Sequence, residues 1–518
     1  MIRPSRKILS ITACISSDFS KIKLLTRGKT NKPLIRTQRS ISPSEFENLF
    51  KDALGFPPTP DQWHAIQQLA EFIFHPYADN DGLEAFILKG YAGTGKTHLL
   101  GSLVKVLPYL KLKSVLLAPT GRAAKVLTNY SRKKASTIHR KIYFINESNG
   151  AEYFTLGKNK HTNTLFIVDE ASMIATNSGV NNESGFNQRN LLDDLIEYVY
   201  TGENCRLLFV GDSGQLPPVG MNASPALEKD YIAEHYGLKI YSAQLNQIVR
   251  QENESGILTI AGQLREFTEL PPIFTCATQD ARALSGVDLQ EELENAIRQY
   301  GPDEVMVVTR SNKRANLFNE QIRRRILWQE EDLNAGDKVM ATRNNYHWLD
   351  EKSEAGFIAN GEMMEILKII RRESIFGCEF ADVAVRFPDF PEMKDVEIKI
   401  LLNALHHEGP SLSRDHMKQL FYRIAQEEYP YIRNKRERNQ KIMQNPYFQA
   451  VQVKFGYAIT CHKAQGGQWA AVFVDHGYFV EDMWDSDYMR WLYTAITRAQ
   501  TQLFLVNFSP AFVGERDY

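Results

Sequence analysis

The chain has 518 residues, enough for about three or four domains at roughly 150 residues each. Hydrophobic residues make up 43% and charged residues 24%, which excludes a collagen-like, low-complexity or wholly disordered chain. No uncharged apolar run reaches the ~18 residues of a membrane span, and five scattered cysteines without CxxC or Cys/His spacing exclude a structural zinc, an iron–sulfur cluster and a disulfide framework.

Net charge is −1, but residues 1–40 hold ten Lys/Arg against Asp18 alone, a local +9 that leaves −10 for the rest. Any nucleic-acid contact therefore uses a local basic groove, not a basic whole. The Arg-, Lys- and Ser-rich leader fits a disordered basic arm or a mitochondrial transit peptide. Reduced thiols fit a cytosol-like compartment, so the expected location is cytoplasmic, or mitochondrial if the leader is a transit peptide.

Folded structure is expected from Ile41. Ser42-Pro43-Ser44-Glu45 reads as a helix start, with Ser42 as N-cap, Pro43 first in the helix and Glu45 completing a capping box. A second helix follows Pro60. Short apolar runs then alternate with helical stretches: Ala85–Leu88, Ser114–Ala118, Thr164–Val168 and Arg206–Val210, and later Glu304–Val308, Ala470–Val474 and Thr501–Val506. Such alternation predicts parallel sheets covered on both faces, here in two α/β domains split by a middle segment. Lys141–Ile145 and Glu152–Thr155 flank an Asn149-Gly150 turn, a hairpin signal. Residues 175–185 form a polar loop. Within 331–454, the first part is strand-rich and predicts a small β-barrel, and 411–445 is charged with a helical period. Pro388-Asp389 and Glu397-Ile398-Lys399 mimic a nuclease pattern but read as an ordinary charged strand. No internal repeat is present.

Two motifs carry chemistry directly. Gly90-Tyr91-Ala92-Gly93-Thr94-Gly95-Lys96-Thr97 matches G-x-x-x-x-G-K-[ST] between a strand and a helix. Its backbone N–H groups would curl around phosphates, Lys96 would reach the β/γ-phosphates and Thr97 would bind Mg²⁺. Some 70 residues on, the strand Leu165–Val168 ends in Asp169-Glu170. Asp169 is expected to hold Mg²⁺, and Glu170 to orient and deprotonate the attacking water. ATP and Mg²⁺ are thus the expected cofactors.

Gly211-Asp212-Ser213-Gly214-Gln215-Leu216-Pro217-Pro218, with Asp169-Glu170-Ala171-Ser172-Met173, resembles superfamily 1B DNA helicases, most closely the RecD-like and Dda-like group. The resemblance runs from Thr59 to Phe508. It implies that Gln215 senses the γ-phosphate. Thr59-Pro60-Asp61-Gln62 is similar to the Q motif, where Gln62 would read the adenine edge. Ala118–Ala124 looks like motif Ia, with Thr120 and Arg122 at DNA phosphates. Ser136-Thr137-Ile138-His139 resembles the adjoining strand-contacting motif, with His139 on DNA. Leu245–Gln251 looks like motif IV, Thr460–Gln468 like motif V and Tyr493–Ala499 like motif VI. From these, Arg250 and Arg498 would neutralise transition-state charge, and Thr460, His462 and Lys463 would touch DNA. Gln468 stands where many members have Glu.

The implied fold is α/β: two RecA-like P-loop motor domains with an inserted hairpin pin, about 141–163, and an inserted SH3-like barrel. The expected parts are a leader (1–40), a first motor domain (41–244), a second (245–330 and 455–518) and the insertion (331–454). The implied activity is ATP-driven 5′→3′ translocation on single-stranded DNA and unwinding at single-strand/duplex junctions, in repair, recombination or replication. The alternatives are a motor or switch subunit of a nuclease or recombination complex, and an RNA-directed helicase of the same superfamily.

Overall fold

The computed structural model describes residues 41–76, 82–148, 151–176, 190–249, 255–266, 268–274, 276, 278–350 and 353–513. The basic leader, the turn Asn149-Gly150, most of the polar loop 175–185 and Arg250 lie outside the described residues, as do the side chains of 144–154.

The first helix, Pro43–Leu54, begins as its sequence dictates. Ser42 Oγ accepts from the Glu45 N–H at 3.3 Å, and Glu45 returns a carboxylate oxygen to the Ser42 N–H at 2.6 Å. Phe46, Phe50 and Leu54, four residues apart, form its buried stripe, and Gly55 stops it at φ +80°.

Behind this helix lies a six-stranded, all-parallel sheet. In chain order its strands are β1 (Glu84–Gly90), β2 (Lys113–Ala118), β3 (Ala135–Thr137), β6 (Thr162–Val168), β7 (Glu203–Gly211) and β8 (Lys239–Leu245). Across the sheet they run β3-β2-β6-β7-β1-β8. The missing numbers, β4 (Tyr143–Ser148) and β5 (Ala151–Leu156), form an antiparallel hairpin outside it, pairing Tyr143 with Leu156. Both sheet faces are covered, and the strands alternate between them. Phe86 and Leu88 enter one core with Phe46 and Leu103, while Ala85 and Ile87 enter the other with Phe166 and Leu207. Each such fully buried large side chain is worth about 1.5–3 kcal/mol.

A second all-parallel sheet has the order β16-β10-β17-β18-β9. Its strands are β9 (Ala281–Leu284), β10 (Val305–Thr309), β16 (Ala458–Thr460), β17 (Trp469–Asp475) and β18 (Ala499–Val506). Between β10 and β16 the chain makes a closed barrel of β11 (Lys338–Ala341), β12 (Met363–Ile375), β13 (Cys378–Arg386), β14 (Val396–Leu401) and β15 (Val451–Phe455). Barrel residues Val339, Val383 and Val385 share one core with Val305, Val307 and Phe473 of the second sheet. The barrel is therefore fused to the second sheet by apolar packing. Between β14 and β15, the helices Arg414–Glu427 and Lys435–Met443 close one side of the barrel through Leu420, Ile424 and Ile442, packed with Phe376, Phe380 and Leu401. No helix among the described residues is long and apolar enough to cross a membrane.

Candidate nucleotide and nucleic-acid site

Strand β1 runs into the Gly-rich loop, and the helix Lys96–Val106 leaves it. Gly93 and Gly95 sit at φ +79° and +82°, a region L side chains rarely adopt. A Cβ on Gly95 would also lie 2.7 Å from Gln62 Nε2. Lys96 folds across the loop mouth, donating to the carbonyls of Gly90 (2.5 Å) and Tyr91 (2.8 Å), with its ammonium 3.8 Å from Asp212 Oδ2. Thr97 stands partly buried in the first helical turn.

Gln62 is 1% exposed and braces this loop. Its Nε2 donates to the Thr94 carbonyl at 3.1 Å, and its Oε1 accepts from the Thr59 N–H at 3.2 Å. The second half of that contact, Gln62 N–H to Thr59 Oγ1, makes Thr59–Gln62 a capping box. Both ends of the amide are occupied inside the protein.

Strand order brings the next residues alongside. β7 lies between β1 and β6, so Asp212 and Gln215 follow a strand flanked by the Gly-rich loop on one side and Asp169-Glu170 on the other. Glu170 has φ +52°, a strained conformation for a residue with a Cβ, and its N–H donates to Asp169 Oδ1 at 2.9 Å. Burial first, and the adjoining Glu170 second, push the Asp169 carboxyl well above the usual carboxylate range. The Lys96 ammonium and the Glu170 N–H oppose that shift without overcoming it. With the Thr97 hydroxyl, Asp169 offers hard oxygen donors that suit Mg²⁺. Among the described residues no group of three or more His, Cys, Asp or Glu is placed to hold a metal ion. Gln215 is 6% exposed, and its Oε1 is buried without a hydrogen-bond partner.

The second sheet reaches this site through a residue that sequence reasoning passed over. Tyr493, fully buried on the helix Ser486–Ile496, places its hydroxyl oxygen 2.7 Å from the Ala92 N–H, which donates to it, and itself donates to Asp212 Oδ2 at 2.8 Å. The next residue, Thr494, accepts at Oγ1 from the Leu216 N–H at 2.8 Å, and Gln465 Nε2 donates to the Leu216 carbonyl at 2.7 Å. The Val249 N–H donates to the Gly93 carbonyl at 3.0 Å, and the Arg265 guanidinium lies 5.0 Å from the Tyr91 ring centre. A tyrosine hydroxyl inside a recognised motif was the available signal for Tyr493. Its target depends on how the two halves pack.

Arg498 is 3% exposed but does not face the loop. Its guanidinium donates to the carbonyls of Thr494 and Gly467 and to Thr497 Oγ1, at 3.0–3.2 Å.

Of the residues expected on DNA, Thr120 caps the helix Gly121–Ser131, accepting from the Ala123 N–H at 3.2 Å. Arg122 is turned into the contact between the halves, 4.1 Å above the Trp469 ring and donating to the Gln468 carbonyl at 3.1 Å. His139 lies beside Tyr143, and burial lowers it to about 4, so it is neutral near pH 7. Thr460 is the N-cap residue of the short helix Cys461–Ala464, and His462 lies exposed within it. Lys463 Nζ is buried without a hydrogen-bond partner, and burial followed by the charge of Lys454 lowers it to about 8. Two neighbouring ammonium groups, one of them unpaired, make a place that favours an anion.

The barrel meets the first half through polar contacts. Lys125 Nζ binds Asp389 Oδ1 at 3.0 Å and the Pro388 carbonyl at 2.8 Å, Lys134 pairs with Glu354 at 2.6 Å, and Arg140 donates to the Ser353 carbonyl at 2.8 Å. Glu362 is buried against Gly121, and burial, then Asp389, raises it to about 8. The nuclease-like residues are spent structurally: Asp389 on Lys125, and Lys399 on Glu373 and Asp382 at 2.7 and 2.6 Å.

Residues 59–270 match the family described as an AAA domain, and residues 455–506 match the UvrD-like helicase C-terminal domain. The first match spans the Gly-rich loop and Asp169-Glu170; the second spans Arg498. An uncharacterized protein of Acanthamoeba polyphaga mimivirus is 22% identical over 511 residues, covering 84% of this chain and 98% of that protein. The ATP-dependent RecD2 DNA helicase of Deinococcus radiodurans is 32% identical over 142 residues, 27% of this chain and 17% of that protein. Among solved structures, the Pif1 helicase from Bacteroides in complex with ADP-AlF3 and ssDNA aligns over 88% of this chain and 94% of its own, at 14% identity and a TM-score of 0.44.

Proposed function

We propose that this chain, a superfamily 1B DNA helicase and ATP hydrolase by its two matched domains and motif order, translocates 5′→3′ on single-stranded DNA and unwinds the duplex ahead of it. The observation that carries the reading is the position of the Gly-rich loop. It follows β1 of the first sheet and is hydrogen-bonded from the second half by Tyr493. Anything that enters the loop must disturb the contact between the halves, which couples nucleotide to domain movement.

In this reading the loop Gly90–Thr97 binds the ATP phosphates. Lys96 exchanges the carbonyls of Gly90 and Tyr91 for the β/γ-phosphates, and Gln62 reads adenine once freed from its capping box. Thr97 and Asp169 would hold Mg²⁺, which supplies charge neutralisation at the phosphates. Glu170 accepts the proton of the attacking water, and Gln215 Oε1 finds its missing partner there. Arg250 and Arg498 would neutralise the charge of the transition state. Arg498 must first release Thr494, Gly467 and Thr497, so its arrival reports cleft closure. DNA phosphates run past Thr120, Arg122, His139, Thr460, His462 and Lys463, where contacts to phosphate, sugar or a stacked base carry no sequence code. The β4–β5 hairpin serves as the strand-separating pin.

The test is ATP hydrolysis by the purified chain with no nucleic acid, with single-stranded DNA and with single-stranded RNA. Strong stimulation by DNA alone is expected, and binding should weaken steeply with salt. Equal or greater stimulation by RNA would move the substrate class. Stimulated hydrolysis without unwinding would favour a motor subunit of a larger complex.

A further inference from the structure

The helical pair between β14 and β15 takes no part in either site above. Its second helix and the loop before it hold five Lys/Arg and one Glu between Tyr429 and Met443, in a protein whose residues beyond the leader sum to −10. Arg433, Lys435, Arg436 and Lys441 are exposed, and no ion pair among the described residues engages them. Tyr431, at the edge of this group, is 92% exposed. The cations stand on a rigid support. Ile442 is buried with Leu420 and Ile424, Asn434 caps the helix by accepting from the N–H groups of Arg436 and Glu437, and Asn445 donates to the exposed Glu428 beside the helix.

The patch is tied to the hairpin through one barrel loop. Asn345 and Trp348 both donate to the Gln449 carbonyl beside the helical pair, at 2.7 and 2.8 Å. The same loop accepts from Arg140 at Ser353 and from Lys134 at Glu354. Arg140 belongs to the helix Ile138–Ile142, which runs directly into β4 of the hairpin.

We infer that Arg433, Lys435, Arg436 and Lys441 form a second nucleic-acid contact, one that grips the phosphate backbone of the duplex on the hairpin side of the molecule. The inference rests on the helicase reading for its geometry. A polyanion is the occupant that charge selects, and duplex rather than single strand follows from the scaffold. The nine-residue helix is about 13 Å long, over which B-DNA presents roughly eight phosphates. It offers exposed cations around a convex helix and its entry turn, not a groove lined with stacking rings. Such a contact would be independent of sequence, hold the duplex in line with the pin, and weaken with salt.

The experiment compares the full chain with its Arg433→Gln/Lys435→Gln/Arg436→Gln/Lys441→Gln variant, measuring anisotropy with a blunt duplex and with a single strand of equal length over a salt series. All four side chains are exposed, so an unchanged melting temperature is expected and checks folding. The variant should lose duplex affinity by about tenfold or more, and its log–log salt slope should shrink by about 1 to 2, at ~0.9 per lost phosphate contact. Its single-strand affinity should stay within about twofold. Unchanged duplex affinity and slope would overturn the inference and assign the patch to an acidic protein surface. Equal loss for duplex and single strand would overturn it too, by making the patch part of the strand path. Failure of the helicase reading looks different: no DNA-stimulated hydrolysis in the unaltered chain, whatever the duplex result.

Discussion

Tyr493 joins the halves by a single oxygen. Its hydroxyl occupies an N–H of the phosphate-binding loop, part-buried, and a carboxylate oxygen of the buried Asp212. Burial, and then Asp212, raise its ionisation far above the ordinary tyrosine range, so it stays a neutral donor and acceptor. Tyr493→Phe frees the Ala92 N–H for phosphate and leaves Asp212 a partner short, a cost of about 1–3 kcal/mol. ATP affinity should be undiminished while DNA-stimulated turnover falls by about tenfold, the equivalent of ~1.4 kcal/mol. Equilibrium nucleotide binding and steady-state hydrolysis separate the two. Weaker ATP binding with full stimulation would make Tyr493 a binding residue instead. At this scale legibility followed locality. Gly93, Gly95, Lys96 and Asp169 declare themselves because their neighbours in sequence are their neighbours in space. Gln62 was read only as a base reader, although Thr59-x-x-Gln62 already spells a capping box. The inward turn of Arg122 and Arg498 depends on Trp469 and Gly467, far off along the chain.

Among the elements, the seven apolar runs read from sequence all became strands, but β3, β8, β9 and β16 did not stand out. β3 and β16 have three residues each, too few for a periodic signal. β8 alternates exposed and buried residues because it is an edge strand with one covered face. The hairpin was legible from its turn, but its base is not detachable. Ile142 is fully buried, and Tyr143 donates to Asp194 at 2.7 Å. A Gly/Ser link should therefore replace residues 144–154 only. Strand-displacement and hydrolysis assays on that variant should show unwinding lost and DNA-stimulated hydrolysis kept within about twofold, since β4–β5 lies outside both sheets. Parallel loss of both would make the hairpin part of the motor core.

The docking of the barrel on helix Gly121–Ser131 carries a pH dependence. Glu362 ionises near 4.5 when free and at about 8 in the fold. Below the free value both states are protonated; between the two values the folded state alone holds the proton, so stability falls as pH rises through this window. Glu362→Gln removes the proton from the balance. Melting curves should show the variant close to the parent near pH 5 and more stable near pH 8. A constant difference across that range would show that Glu362 does not titrate there.

On the scale of the whole molecule, the two interfaces differ in kind. Barrel and second sheet share a hydrophobic core, whereas barrel and first half meet through Lys125–Asp389, Lys134–Glu354 and Arg140–Ser353. Apolar cores close-pack and resist sliding, while a seam of polar contacts, with the exposed Lys134–Glu354 pair worth little, is the looser of the two. The natural moving unit is thus second sheet plus barrel, opening from the first half along its polar seam. Two α/β sheets and a barrel between them were readable from strand alternation and the texture of 331–454, because each is a pattern within one segment. The fusion of barrel and second sheet was not, since it joins Val339 and Val383 to Val305 and Phe473 across long separations. Direction of movement depends on which half grips DNA while the cleft closes. The most direct measurement is ATP-dependent unwinding by the purified chain of one duplex carrying either a 5′ or a 3′ single-stranded tail. The account predicts displacement from the 5′-tailed duplex and little from the 3′-tailed one. Preference for the 3′ tail, or displacement from neither despite DNA-stimulated hydrolysis, would contradict it.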